Sequence, residues 1–182
     1  MGFSTINEKI FKNTVFLIIE LAGELGIGAI KLNKCLIIID ALHKAFYNES
    51  LTEAKYIKHD HGPVPGKEGH GIIQELIRSG DIVVKNEMVS PGKYEHTHRL
   101  HAEVKVSRTM FSKEDLDIIS WTVSTVMKMT AREISEISHD KYYHNTKKFD
   151  EIDLANICKW EIFDEQEKIS NSEKGDSSEI YF

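Results

Sequence analysis

The sequence predicts an α+β fold, mainly α: a helical domain with a small antiparallel sheet of about three strands including a hairpin. Three observations predict it. Apolar residues recur at helical spacing in several long segments. Two strand-like runs flank Ser90-Pro91-Gly92, as a tight hairpin requires. Glycine and proline separate the segments, and no Gly/Pro/Ser-rich linker divides the chain.

Thr5 with Glu8 reads as a capping box opening a first helix, along which Ile6, Ile10, Leu17, Ile18, Leu21 and Leu25 recur. Gly26-Ile27-Gly28 then breaks the chain. A second helix is expected over 29–47, striped by Leu32, Cys35, Leu36, Ile39, His43 and Phe46. Ile37, Ile38 and Leu42 widen its apolar coverage, which marks it as the central helix. An extended segment over 53–59 runs into Gly62-Pro63-Val64-Pro65-Gly66, where two prolines are expected to forbid regular structure. A third helix over 67–79 carries Ile72, Ile73, Leu76 and Ile77, and Gly80 stops it.

Strands are expected over 82–89 and 93–101. Alternation puts Tyr94, His96, His98 and Leu100 on one face of the second, with Glu95, Thr97, Arg99 and His101 on the other. Ser112 with Asp115 opens a fourth helix, striped by Leu116, Ile119, Val123, Val126 and Met127. Thr130 with Glu133 restarts a short helix to about His139. A final helix follows Asp150, with Ile152, Leu154, Ile157 and Trp160 for docking.

At 182 residues the chain suits one domain, read as 1–163, followed by a loose acidic tail over 164–182. The formal net charge is −6; the tail holds six acids against Lys168 and Lys174, leaving about −2 for the body. A body so nearly neutral lacks the broad positive field of a phosphate-neutralising protein, although a local basic patch is compatible with it. Cys35 and Cys158 lie far apart without CxxC spacing, which gives no zinc site and little reason for an oxidising compartment. The first residues lack a basic-then-apolar leader, and apolar runs such as 36–39 fall far short of the ~20 residues that cross a bilayer. The expected address is the cytoplasm, with no membrane partner.

Nine histidines raise the question of a metal. His59, His61 and His70 form one candidate set, and His96 with His98 another, but neither completes a known ligand pattern and HExxH is absent. The spacing favours hydrogen-bonded or solvent-facing rings. No GxSxG is present, and Cys35 sits on an apolar stripe where a thiol behaves as a small inert hydrophobe. Gly66-Lys67-Glu68-Gly69-His70-Gly71 resembles an anion nest superficially, yet matches neither GxGxxG nor GxxxxGK[ST]; a turn entering a helix is the simpler reading. No catalytic residue, cofactor or metal ligand is assigned. Helices followed by a hairpin also follow the order of a winged helix, although Glu68 and Glu75 dilute Lys67, His70, Gln74 and Arg78 on its would-be recognition helix.

Several ordered motifs share one resemblance. Lys31-Leu32-Asn33-Lys34 opens an apolar helix that continues through Ile38-Ile39-Asp40-Ala41-Leu42-His43. Tyr56-Ile57-Lys58-His59-Asp60-His61 leads into Gly62-Pro63-Val64-Pro65, then a helix and Ser79-Gly80-Asp81-Ile82. Phe111-Ser112-Lys113-Glu114-Asp115 precedes 131–139, ending Ser138-His139, then Tyr142-Tyr143 and 150–153. Over roughly 30–160 the chain resembles the Panacea family of SocA-like antitoxins, related to phage-associated GepA-type proteins. It departs from the family's aromatic-rich second helix with Cys35–Ile39, and has Tyr142-Tyr143-His144 where a tryptophan is common.

The resemblance implies an antitoxin that neutralises a partner toxin, commonly encoded beside it, by direct binding. It also implies, secondarily, an adaptor that delivers the toxin to a protease. The signature positions it marks are Lys31, Asn33, Lys34, His59, His61, Gly62, Pro63, Val64, Pro65, Ser138 and His139. For the proline turn, fixing the approach of the third helix competes with contacting a partner. His139 reads as a helix C-terminal cation or cap. A DNA-binding regulator is the alternative function, and a metal-dependent enzyme using His59, His61 and His70 a third.

Overall fold

A computed structural model describes residues 6–100 and 104–157. The chain runs α1 (Glu8–Leu21), β1 (Ile27–Gly28), α2 (Ala29–Tyr47), β2 (Tyr56–His59), β3 (Gly62–Pro65), α3 (Lys67–Ser79), β4 (Ile82–Ser90) and β5 (Lys93–Leu100). A 3-10 turn at Arg108–Met110 leads to α4 (Lys113–Lys128), α5 (Ala131–Ser138), α6 (Lys141–Asn145) and α7 (Leu154–Ile157). Helices dominate, with β1, β5 and β4 forming an antiparallel sheet in that order and β2 with β3 a separate pair. The α+β, mainly α prediction holds.

α2 is the axis of the fold. Leu32 and every residue from Lys34 to His43 are buried along it, and it touches α1, α4, α5, α7 and β3. A helix apolar on all sides has to be surrounded, and each buried isoleucine contributes roughly 1.5–3 kcal/mol to holding its neighbours there. Two ionisable side chains in this core, Asp40 and Lys34, are satisfied by hydrogen bonds. Asp40 accepts from the Thr52 amide at 2.8 Å, the Thr52 hydroxyl at 2.5 Å and the Tyr56 hydroxyl at 2.7 Å. Lys34 is bonded within the site described below. At the other end of α2, His43 Nε2 meets the Asp115 carboxylate at 3.1 Å and ties α2 to α4.

Several local expectations need correcting. Asn7, not Thr5, caps α1: its side chain accepts from the Ile10 amide, and Thr5 lies outside the described residues. α1 stops at Leu21, and Leu25, expected on its stripe, stands 78% exposed beyond it. Phe46, placed on the α2 stripe, is exposed in the last turn. Gly62–Pro65, expected to be irregular, is a strand. Pro63 and Pro65 lie opposite Lys58 and Tyr56, whose own backbone groups bond away from β3, to Phe149, Asp150 and Ile152. Both prolines therefore occupy positions of the β2–β3 ladder where no N–H is required.

The hairpin of β4 and β5 turns at Pro91-Gly92 as expected. The face split is only partly kept: the neighbours Thr97 and His98 are both buried, because β5 is the central strand and the two face Gly28 and Ile27 of β1. His101, Trp160, Cys158 and the 164–182 tail lie outside the described residues. Both later capping boxes form: Ser112 accepts from the Asp115 amide, and Thr130 from that of Glu133, with each acid reaching back. Among the described residues, no helix is long and apolar enough to cross a membrane.

Candidate functional site

The proline turn is held from beneath by a lysine. Lys34 projects from α2 with its side chain buried, and Nζ donates to the carbonyls of His61 at 2.9 Å and Pro63 at 3.1 Å. No carboxylate of the described residues compensates it, and burial pulls its pKa down to about 7. An amine without its extra proton still offers two N–H groups, enough for both carbonyls. Gly62 lies between those carbonyls at φ +92°, and a Cβ there would sit closer than 3.0 Å to both Lys34 Nζ and Ser138 Oγ. Only glycine lets α2, the turn and α5 approach so closely. Ser138 is buried at the end of α5, donating from Oγ to the Ser135 carbonyl at 2.8 Å.

A second brace comes from α6. Asp140 caps this short helix by accepting from the Tyr143 amide at 2.8 Å. The Tyr143 hydroxyl then donates to the His59 carbonyl at 2.6 Å. Lys58 closes the brace from β2, donating to the carbonyls of Tyr143 and Thr146 at 2.7 and 2.8 Å, with its ammonium 4.3 Å from the Tyr143 ring centre. His139 stacks on that ring with centroids 4.3 Å apart. His139 does occupy the C-cap of α5, but burial first, and then Lys34, His144, His61 and Lys58, hold its pKa below the ordinary value. At neutral pH it is therefore a stacked neutral ring; the expected cation is corrected.

Ten of the eleven signature residues meet around this turn. Asn33, His59, His61, Val64 and Pro65 border a groove of about 430 Å³ at the surface. His61 also faces a second hollow of about 640 Å³ with His139. Lys34, Gly62, Pro63 and Ser138 lie beneath. Lys31 does not join them: its Nζ reaches the Met127 carbonyl of α4 at 3.4 Å. His59, His61 and His70 border the same groove, yet among the described residues no group of three His, Cys, Asp or Glu side chains is arranged to hold a metal ion. The signature positions leave out Lys58, Ile30, which borders both hollows, and the whole of α6. For α6 the signal was present, since Asp140 stands three residues before the amide it caps.

The family model for the SocA-like antitoxin, Panacea domain, matches residues 32–144. The chain belongs to this family. No curated protein and no solved structure matches it. The matched Panacea segment contains the interlocking side chains from Lys34 through Gly62 and Ser138 to Tyr143. Its first and last parts are thus in contact across the proline turn. Membership supports an antitoxin-like role with a toxin as partner.

Proposed function

We propose that this Panacea-domain protein neutralises a cognate toxin, encoded by an adjacent gene, through direct protein–protein contact and without catalysis. The observation that supports this reading most is the interlock: side chains far apart in sequence converge to hold one turn in a set shape at the surface. Lys34 Nζ, Ser138 Oγ and the Tyr143 hydroxyl are each engaged with backbone carbonyls, as in a scaffold for a shaped surface. A nucleophile paired with a base would look different. Cys35 is buried and its thiol is pushed up by that burial, which leaves it a poor nucleophile.

α3, the would-be recognition helix of the DNA-binding alternative, buries Gly69, Ile72, Ile73 and Leu76. Its exposed side mixes Lys67, Glu68, His70, Gln74, Glu75 and Arg78, a poor reader of base edges. That composition favours a protein partner. In the adaptor form of the reading, the bound toxin is passed to a protease in the cytoplasm.

Co-expression with the adjacent gene product tests the proposal. Rescue of growth and recovery of a stoichiometric complex are expected. A folded antitoxin that neither rescues nor co-purifies would sink the reading. A toxin half-life that shortens when the antitoxin is present marks the adaptor form, and an unchanged one removes it.

A further inference from the structure

We infer that the groove between the first turns of α2 and α3 docks an apolar segment of the partner flanked by carboxylates. The inference rests on the antitoxin reading and adds the chemistry the site accepts.

The groove of about 430 Å³ has an apolar floor of Ile30, Ile57, Val64 and Pro65, the last two belonging to the strand that Lys34 holds. Its polar border is Lys67 with the imidazoles of His59, His61 and His70. Among the described residues lining it there is no aspartate or glutamate. Asp60 stands between two of the histidines, but its carboxylate is taken by Lys148 at 2.7 Å. Glu68 faces the neighbouring hollow with Lys55 and Glu151.

Backbone electrostatics have the same sign. α2 begins after Gly28 and α3 after Gly66, and neither cap residue supplies a side-chain acceptor to the first turn. The groove is lined by Ala29 from the first turn of α2 and by Gly66 and Lys67 from the start of α3. Each helix start carries roughly half a positive charge and no side-chain bond from its cap residue, and the acid in the first turn of α3, Glu68, is the one that lines the neighbouring hollow. The floor calls for an apolar side chain and the border for negative charge beside it. A single nucleic-acid strand fits less well, because among the described residues no Phe, Tyr or Trp lines the groove to stack bases. The turn is already held in place by Lys34 and Gly62, so little ordering is needed on binding.

The test is a double variant, the charge reversal Lys67→Glu combined with His70→Glu. An acid in the first turn of α3 favours the helix dipole, so the Lys67 change is not expected to weaken folding while it cancels the groove's field. The full chain is titrated with the adjacent gene product at low salt. Affinity is expected to fall at least about tenfold with the unfolding midpoint preserved. Lys113→Glu, the same reversal in the first turn of α4 at the opposite end of α2, is expected to bind as wild type. On complex formation, hydrogen-exchange protection is expected over 28–33 and 57–70.

Undiminished affinity in the double variant, or protection confined to other segments, overturns the groove assignment while leaving the antitoxin reading in place. A wild-type chain that forms no complex removes both. A salt-sensitive DNA shift abolished by the double variant would give the groove to nucleic acid and overturn the inference.

Discussion

Replacing Gly62 with alanine isolates the close approach on which the site is built. The backbone at φ +92° lies where L-residues are strained, at a cost of about 1–2 kcal/mol. The new methyl would also displace Lys34 Nζ and Ser138 Oγ, with Lys34 Cε a further 3.1 Å neighbour. Lys34 has a flexible end, but moving it forfeits its bonds to His61 and Pro63, at about 1.5–3 kcal/mol if one charged hydrogen bond is lost. The expected destabilisation is about 3–5 kcal/mol, a fall in Tm on the order of 10 °C for a chain of this size. Gly80→Ala is the matched control: φ is +85°, yet nothing lies within 4 Å of the added methyl, so only the backbone strain is paid. Urea unfolding followed by circular dichroism reads both variants. Equal losses in the two would refute the collision argument. In a Lys34→Met background, Gly62→Ala is expected to cost less than in the wild type but still more than Gly80→Ala, because the displaced amine is gone while the approach to Ser138 Oγ remains.

Three further outcomes are expected. Lys34 has a folded pKa near 7, below the ordinary 10.5, so the native state holds fewer protons than the unfolded chain between those values. Wild-type stability therefore gains up to about 1.4 kcal/mol per pH unit as pH rises through that window, and the Lys34→Met variant lacks the gain. Parallel slopes in chemical unfolding at pH 7 and 9 would contradict it. Tyr56→Phe removes the 2.7 Å donor to buried Asp40 and is expected to cost about 1.5–3 kcal/mol by urea midpoint, whereas a loss below about 0.5 would mean that the Thr52 bonds suffice. Thr130→Ala deletes one half of a capping box and should cost about 1 kcal/mol, with hydrogen exchange quickening first at the amide of Glu133.

The helices whose signals are local and redundant were legible from the sequence. α2 and α3 run over the expected residues because apolar spacing and glycine boundaries agree there. α4 and α5 were legible because Ser112 and Thr130 each have an acid three residues on. β1 is only two residues long, and its pairing with β5 depends on partners some seventy residues away, which local patterning does not carry. β3 was hidden for a related reason: whether a proline breaks a ladder depends on which strand edge its nitrogen faces. At the candidate site, the family resemblance marked Gly62, Ser138 and Lys34 separately. That Lys34 is buried beneath the turn could not be read from its surroundings in sequence, because a lysine among isoleucines is equally consistent with a side chain reaching out to water.

β2 carries a further implication through its two ladders. One edge pairs with β3, while the other bonds to Phe149, Asp150 and Ile152, more than ninety positions along the chain. During synthesis, the first half of the molecule therefore emerges with this strand half-paired, and it stays so until nearly all of the described chain has left the ribosome. An antitoxin organised in this way would come into full working order only once residues 149–152 had emerged, later than a toxin with a self-contained shorter fold made at the same moment.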